Sequence, residues 1–271
     1  RRQRQMCIRD RPYDVLETAF RTAVRLHRIA PKGCARLLGI QMEGPFFSEK
    51  KKGAQNAAYL RLPDYDAFAR LYNAAEGLLR IADVAPELSG AVEFTSRASE
   101  KCTVSVAHTD ASYEEAAAVF DAGATHLTHL YNAMPGIHHR HPGPIGAASE
   151  RESVTAELIC DGHHVHPSAV RMAFRLFPNR VCLISDALRC CGMPDGQYTL
   201  GGQDVFLAGG VAHHRRQRCQ FVRLHAERRR LRRPRGAGSS GRHRHPRKGD
   251  RQGGGDRQHR RRAARRLCGV R

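Results

Sequence analysis

Apolar runs of strand length alternate with helix-patterned stretches between residues 12 and 190, and this alternation constrains the fold more than any other feature. The six strand candidates are Ala35–Met42, Leu79–Ala85, Thr103–Ala107, Ala124–Thr128, Val154–Cys160 and Val181–Ser185. Helical stretches lie between most of them, at Pro63–Ala75, Ser112–Ala122 and Pro167–Phe177. Because strands joined by helical crossovers form parallel sheets, the sequence predicts an α/β fold.

Polar side chains follow the strand candidates, at Glu43, Glu87, His108, His129, Asp161 and Asp186. Functional groups after many strands favour a (β/α)8 TIM-like barrel, whose active site uses many strand ends, over a doubly wound sheet with one switch point. Only six of the eight strands of such a barrel are visible in the sequence. We therefore expect an incomplete barrel, and an incomplete barrel should have little activity.

Three of these side chains form a candidate metal site. Glu43 ends one apolar run, and His108 and His129 end two consecutive runs further along the chain. Each alone could be a turn residue or a structural histidine. Together, one carboxylate and two imidazoles suit a catalytic Zn²⁺ or Fe²⁺ with open coordination positions. The shared strand-end position predicts that the three converge on one ion.

The net charge of +20 is concentrated near the C-terminus. Residues 213–271 hold 22 of the 46 Lys and Arg residues and three of the 26 acidic residues. With so few apolar residues, this stretch is predicted to be a disordered Arg-rich tail. It could be a nucleic-acid-binding arm, or the product of a shifted reading frame after about residue 212. The preceding pattern ends unfinished, which favours the shifted frame and no specific nucleic-acid partner.

Two further segments flank the predicted catalytic region of residues 12–190. Residues 1–11 are basic and patternless, and we expect a non-native or disordered leader. Short β runs in residues 191–212 are separated by Asp-Gly and Gly-Gly, which predicts hairpins of a small β domain. No apolar run is long enough to span a membrane, and nine cysteines without CxxC spacing favour a reducing cytoplasm.

A series of motifs occurs in a fixed order: Met42–Phe46, Lys52–Ala54, His108–Tyr113, Thr128–Pro135, Asp161–Pro167, Ser185–Ala187 and Pro194–Gly202. Through them the sequence resembles the N-acetylglucosamine-6-phosphate deacetylases of the amidohydrolase superfamily, from residue 35 to about residue 210. The resemblance implies a deformed (β/α)8 barrel with a small β-sandwich, truncated at the N-terminus in this chain. It also implies a cytoplasmic homodimer that removes acetate from the sugar phosphate.

The resemblance implies individual roles as well. Glu43, His108 and His129 would bind Zn or Fe, and Asp186 would act first as general base and then as general acid. The residues that would hold the substrate are Ala54, Asn132, Ala133, Arg140 and His164. Arg140 would reach the phosphate, across a dimer interface. Gln55 stands where the family usually has a His that helps to polarise the carbonyl.

The residues alone leave alternatives open. Asp186 could be a helix N-cap, and His164 and Arg140 could be loop residues that contact no ligand. Metal chemistry does not choose the acyl donor, so a related amidohydrolase acting on another N-acyl substrate is one alternative. A basic nucleic-acid-binding protein acting through its tail is an alternative of another class.

Overall fold

The computed structural model describes residues 3–8, 11–30, 32–53, 55–188, 190–200, 203–209 and 211–214. Within these residues, seven parallel strands form one sheet and three antiparallel strands form another. Among the described helices, none is both long and apolar enough to cross a lipid bilayer.

The larger sheet runs in chain order, each strand pairing in parallel with the next. Its strands are β1 (Gln3–Ile8), β2 (Arg36–Met42), β3 (Leu79–Val84), β4 (Thr103–Val106), β5 (His126–Leu127), β6 (Thr155–Ile159) and β7 (Val181–Ile184). Strands β2 to β7 correspond to the six predicted from the sequence, with ends that differ by at most two residues. Because all seven run in the same direction, their carboxyl ends lie at one edge, as in a barrel mouth.

Helices connect these strands. They are α1 (Tyr13–Ile29), α2 (Tyr65–Ala74), α3 (Ala91–Ala98), α4 (Tyr113–Asp121), α5 (Gly143–Ser149) and α6 (Pro167–Leu176). Helix α4 begins with a capping box, in which Ser112 and Glu115 satisfy each other's backbone N–H groups. Apolar side chains of the helices and strands share one buried cluster, in which the Phe94 ring packs edge-on against Phe46 and Phe68. The architecture is an incomplete (β/α) barrel, which holds the loops after the strands on a packed scaffold.

Strand β1 lies in the segment for which the sequence predicted a disordered leader. Six residues from Gln3 to Ile8 pair in parallel with β2, with one register shift between Arg4 and Gln5. Backbone groups of β2 supply this pairing, and backbone hydrogen bonding does not depend on an apolar pattern in the added strand. Strand β1 therefore could not be predicted from the composition of residues 1–11.

The smaller sheet contains β8 (Gly196–Leu200), β9 (Gln203–Ala208) and β10 (Val211–His214) in the order β10-β9-β8. Its two antiparallel pairings are hairpins, as predicted, with Gly-Gly pairs in the sequence between the paired strands. The Asp-Gly signal does not mark a hairpin turn, because Asp195-Gly196 lies at the start of β8. Strand β10 extends two residues into the segment predicted as tail. The rest of that segment, residues 215–271, lies outside the described residues.

Candidate metal centre

The three predicted ligands lie at the carboxyl edge of the parallel sheet. Glu43 directly follows β2, while His108 and His129 each lie two residues beyond the ends of β4 and β5. Glu43, His108 and His129 are 1%, 5% and 4% exposed, respectively. Unpaired polar groups are costly to bury, so three such side chains sharing one site need mutual partners or an ion.

The structure brings the ligand atoms of these residues together. Nε2 of His108 lies 3.0 Å from Oε1 of Glu43 and 3.0 Å from Nε2 of His129. The remaining separation, between His129 Nε2 and Glu43 Oε1, is 3.6 Å. Atoms about 2.1 Å from one ion are separated by about 3.0 Å in octahedral geometry and about 3.4 Å in tetrahedral geometry. The triangle therefore has the size that a divalent transition metal requires.

The tautomer of His108 supports the same conclusion. Its Nδ1 lies 2.8 Å from the carbonyl oxygen of Lys51, which can only accept, so Nδ1 carries the proton. In the neutral ring, Nε2 then directs a lone pair at the Glu43 carboxylate, which also has only lone pairs to offer. A cation among the three atoms removes this repulsion, and the Lys51 carbonyl is the kind of outer partner that orients metal-binding histidines. The donor set fits a metal.

Backbone strain is concentrated at the same edge. His108, His129 and Asp186 have φ angles of 45°, 31° and 41°, and Ala133 has a φ of 51°. Residues other than glycine seldom adopt this left-handed backbone conformation, and those that do cluster at functional sites. Glycine is required immediately after Glu43, since Gly44 has a φ of 105° and an added Cβ would lie 2.9 Å from Gln55 Oε1.

Two neighbouring groups hold the loop that carries His108. The Glu87 carboxylate accepts hydrogen bonds from the Thr109 hydroxyl at 2.5 Å and from the Asp110 backbone N–H at 2.6 Å. The ring of Phe47 stacks on the His108 imidazole, with centroids 4.3 Å apart. The polar residue after β3 thus fixes a neighbouring loop and does not join the three ligands.

Asp186, the predicted general base, lies two residues beyond β7 at this edge and is partly buried. Strand β7 is two strands along the sheet from β5, which precedes His129. No α-helix follows Asp186 among the described residues, where the chain continues into the smaller sheet. The alternative interpretation of Asp186 as a helix N-cap is therefore not supported.

The predicted substrate residues lie in loops after β5 and β6. The Asn132 side-chain amide donates to the carbonyls of His129 and Leu130 at 3.2 and 3.3 Å. The Ala133 carbonyl accepts from the Thr109 N–H at 3.0 Å, which joins this loop to the one that carries His108. Both residues are thus adjacent in structure to the candidate metal ligands.

The other three substrate residues are placed differently. His164 is exposed, and its Nδ1 lies 2.6 Å from Asp161 Oδ2. Burial raises the pKa of Asp161, but the backbone N–H groups of His164 and His163 and the His164 ring outweigh it and lower that pKa to about 2. Arg140 is exposed, with its backbone N–H 3.3 Å from His138 Nδ1. Ala54 lies outside the described residues.

Gln55 occupies a buried position beside the ligands. Its side-chain nitrogen donates to the Glu43 carbonyl at 3.4 Å. Its side-chain oxygen is buried without a hydrogen-bond partner among the described residues. An orphaned acceptor this close to the centre is available to a donor on a bound molecule.

A further carboxyl that the sequence analysis missed lies in the barrel interior. Asp83, on β3, is fully buried. Burial above all, and the negative charge of Glu43 next, raise the pKa of Asp83 well above its ordinary value, although a hydrogen bond from Gln41 partly opposes this. No sequence signal singled it out, because Asp83 stands inside a strand and not at its end.

This raised pKa predicts a pH dependence of stability for the metal-free chain. The folded state keeps a proton on Asp83 that the unfolded state releases, so stability falls as pH rises from about 4 to the raised pKa. The slope from this group is about 1.4 kcal/mol per pH unit within that window. Asp83→Asn removes the titration. The free energy of unfolding of the variant should therefore rise relative to that of the unsubstituted chain as pH increases from about 4.5 to about 8.

Urea unfolding at a series of pH values measures this difference. Asp121→Asn is the matched control, because the Asp121 side chain is 67% exposed and pairs with Arg151 at the surface. A difference between Asp83→Asn and the unsubstituted chain that does not change with pH would contradict a buried, protonated Asp83.

Curated relatives match the chain over most of its described length, although no protein-family model matches it. An N-acetylgalactosamine-6-phosphate deacetylase of Escherichia coli O157:H7 is 39% identical over 202 residues, which cover 74% of this chain and 53% of the relative. An N-acetylglucosamine-6-phosphate deacetylase of Bacillus subtilis (strain 168) is 41% identical over 180 residues, which cover 66% and 46%. The chain spans about half the length of the curated relatives it matches.

Solved structures give the same result. N-acetyl-D-glucosamine-6-phosphate deacetylase from Mycobacterium smegmatis aligns with a TM-score of 0.75 and 33% identity, covering 80% of this chain and 56% of that one. The enzyme from Thermotoga maritima aligns with a TM-score of 0.70 and 27% identity, covering 77% and 56%. Sequence relatives and structural neighbours therefore agree: the chain is similar to N-acetylglucosamine-6-phosphate deacetylases over about half of their length.

Proposed function

We propose that the chain carries the metal-binding and proton-transfer groups of a hydrolase that converts N-acetylglucosamine-6-phosphate to glucosamine-6-phosphate and acetate. The observation that carries this proposal is the buried triangle of Glu43, His108 and His129 at the strand ends. The names of the relatives support the reaction, and a variant of the M. smegmatis enzyme was solved in complex with N-acetyl-D-glucosamine-6-phosphate.

Glu43, His108 and His129 would hold one divalent metal, either Zn²⁺ or Fe²⁺. Two imidazoles and one carboxylate are a donor set that both ions accept with coordination positions left open. When bound, the metal supplies Lewis-acid activation of a water molecule and of the amide carbonyl. Buried surroundings strengthen this electrostatic effect, because water does not screen it.

Asp186 transfers the proton. Its carboxylate removes a proton from the attacking water, and the resulting carboxylic acid then returns that proton to the departing amine nitrogen. Proton return lets the C–N bond break to give a neutral amine. This cycle needs a carboxyl group that first accepts a proton and then donates it. Asp186, at the carboxyl edge of the sheet, is partly accessible to a substrate.

The substrate is held by groups around this edge. Asn132, the backbone of Ala133 and His164 bind the sugar, together with the backbone of Ala54. Arg140 binds the phosphate, since an exposed guanidinium forms paired hydrogen bonds with phosphate oxygens. In this proposal Arg140 reaches the substrate of a partner subunit in a cytoplasmic homodimer. The exposure of Arg140 and His164 supports contact with a molecule outside the barrel.

The domain organisation proposed with this function has a catalytic region at residues 12–190 and a small β domain that begins at residue 191. A basic tail from about residue 213 has no specific nucleic-acid partner. Any binding of nucleic acid by the tail would be phosphate electrostatics, which salt weakens steeply.

Acetate release tests the proposed reaction. Zn²⁺-loaded and Fe²⁺-loaded chains are incubated with N-acetylglucosamine-6-phosphate, and acetate is followed by proton NMR at high protein concentration. We expect release from the phosphorylated sugar and at least about 10-fold less from N-acetylglucosamine, which lacks the charge that Arg140 binds. Faster hydrolysis of another N-acyl compound would favour the related amidohydrolase activity instead.

A further inference from the structure

Four buried polar side chains form a layer in the barrel interior next to the candidate metal ligands. This polar layer consists of Gln41 on β2, Asp83 on β3, Ser105 on β4 and Thr128 directly after β5. All four residues are at most 2% exposed. Barrel interiors are usually filled by branched apolar side chains, so a polar layer on four successive strands requires an explanation.

The hydrogen bonds of the polar layer meet at Asp83. Its carboxyl oxygens accept from Gln41 Nε2 at 3.0 and 3.2 Å and from the Thr128 hydroxyl at 3.2 Å. The Thr128 oxygen also accepts from Gln41 Nε2 at 3.1 Å and lies 2.7 Å from the Ser105 hydroxyl. With the Ser105 hydroxyl as donor, Thr128 uses its one proton and both lone pairs. These hydrogen bonds link all four side chains, so each member restrains the others.

Members of the polar layer are close in sequence to the ligands. Gln41, on β2, lies two residues before Glu43, which directly follows that strand, so strand alternation places the two side chains on the same face. Thr128 directly precedes His129, and Ser105 lies three residues before His108. The network therefore joins the ends of the three strands that present the ligands, through a fourth strand that presents none.

We propose that Asp83 is a positioning residue for the metal centre, holding β2 and β5 through Gln41 and Thr128 so that the three ligand atoms keep their separations. This inference rests on the proposed function, since it takes the triangle of Glu43, His108 and His129 to be a metal site. Outer partners of metal ligands set affinity because they remove the cost of arranging the ligands on binding.

Zinc affinity of the full-length chain tests the proposal. Thr128→Val keeps the shape of the side chain but removes the hydroxyl that Asp83 binds, and Asp83→Asn replaces one acceptor oxygen by a donor facing Gln41. Each should weaken Zn²⁺ binding by about 10- to 100-fold in competition with a chelator. Each should also alter the visible absorption bands of the Co²⁺-loaded chain, which report the geometry of the ligands around the ion.

Two further variants separate positioning from general damage to the core. Thr128→Ser retains the hydroxyl and should bind zinc within about 3-fold of the unsubstituted chain. Thr95→Val is the matched control: Thr95 is buried in α3, and its hydroxyl has no hydrogen-bond partner among the described residues. It should leave zinc affinity and the Co²⁺ spectrum unchanged. Circular dichroism confirms that each variant is folded, and the isosteric Asp83→Asn carries the test if Thr128→Val unfolds.

The outcomes are distinguishable. Unchanged zinc affinity in folded Thr128→Val and Asp83→Asn would overturn the positioning role while leaving the metal centre intact. Equal weakening by Thr128→Ser or Thr95→Val would assign the effect to core damage and would also overturn it. A chain that binds no zinc at a ratio of about one per chain would refute the proposed metal centre, and the inference with it.

Discussion

Glu43→Gln should lower the affinity of the chain for Zn²⁺ by at least about 100-fold, because loss of an outer partner alone typically costs 10- to 100-fold and Glu43 is a ligand. The substitution keeps the size of the side chain but removes the negative charge that neutralises part of the ion. The 3.0 Å contact with His108 Nε2 can become a hydrogen bond from the new amide, so the metal-free fold should be retained. Competition with a chelator measures the affinity.

Glu157→Gln is the matched control for this change. Glu157 is also a buried carboxyl, it lies 3.3 Å from His126 Nε2, and it does not belong to the group of three ligands. The control should keep zinc affinity within about 3-fold, since it removes a buried charge without removing a ligand. Equal losses of zinc affinity in both variants would mean that the affinity depends on the overall charge of the interior and not on coordination by Glu43.

Asp186→Asn should reduce acetate release to background, at least about 10²-fold below the unsubstituted chain at high protein concentration, while leaving metal content unchanged. An amide cannot take a proton from water at neutral pH, so the base is lost while the three ligands remain. Acetate release by NMR and metal content by elemental analysis are measured on the same samples. Asp121→Asn, an exposed change of the same chemistry, should alter neither quantity.

A variant that loses metal together with activity would place Asp186 among the ligands and not in proton transfer. A variant that keeps its rate would remove Asp186 from the mechanism. Either result is informative because the two readouts are independent.

Strands β2 to β7 and helices α2, α4 and α6 could be predicted from the sequence because their patterns are strong. Strands β2 to β7 are apolar runs bounded by turn residues, and α4 has its capping box at Ser112 and Glu115. Helix α5 could not be predicted in this way, since Gly143–Ser149 contains two glycines and a proline that disfavour helix. It is stabilised by burial of Ile145, Ala147 and Ala148, which is a tertiary effect.

Part of the candidate site was predictable for a similar reason. Glu43, His108 and His129 follow parallel strands, and parallel strands end at one edge, so their approach depends on topology that the sequence reveals. The contacts of Asp83 could not be predicted in this way, since its partners Gln41 and Thr128 are 42 and 45 residues away along the chain. The hydrogen bond from His108 Nδ1 to the Lys51 carbonyl could not be predicted either. Every residue has a backbone carbonyl, so the sequence does not indicate which one accepts this bond.

The most direct test of the metal centre is anomalous X-ray diffraction from crystals of the Zn²⁺-loaded chain, collected on both sides of the zinc absorption edge. We expect one peak per chain, about 2.0–2.2 Å from Glu43 Oε1, His108 Nε2 and His129 Nε2. A zinc peak at another set of side chains, or none within about 3 Å of these three atoms, would contradict the proposed metal centre.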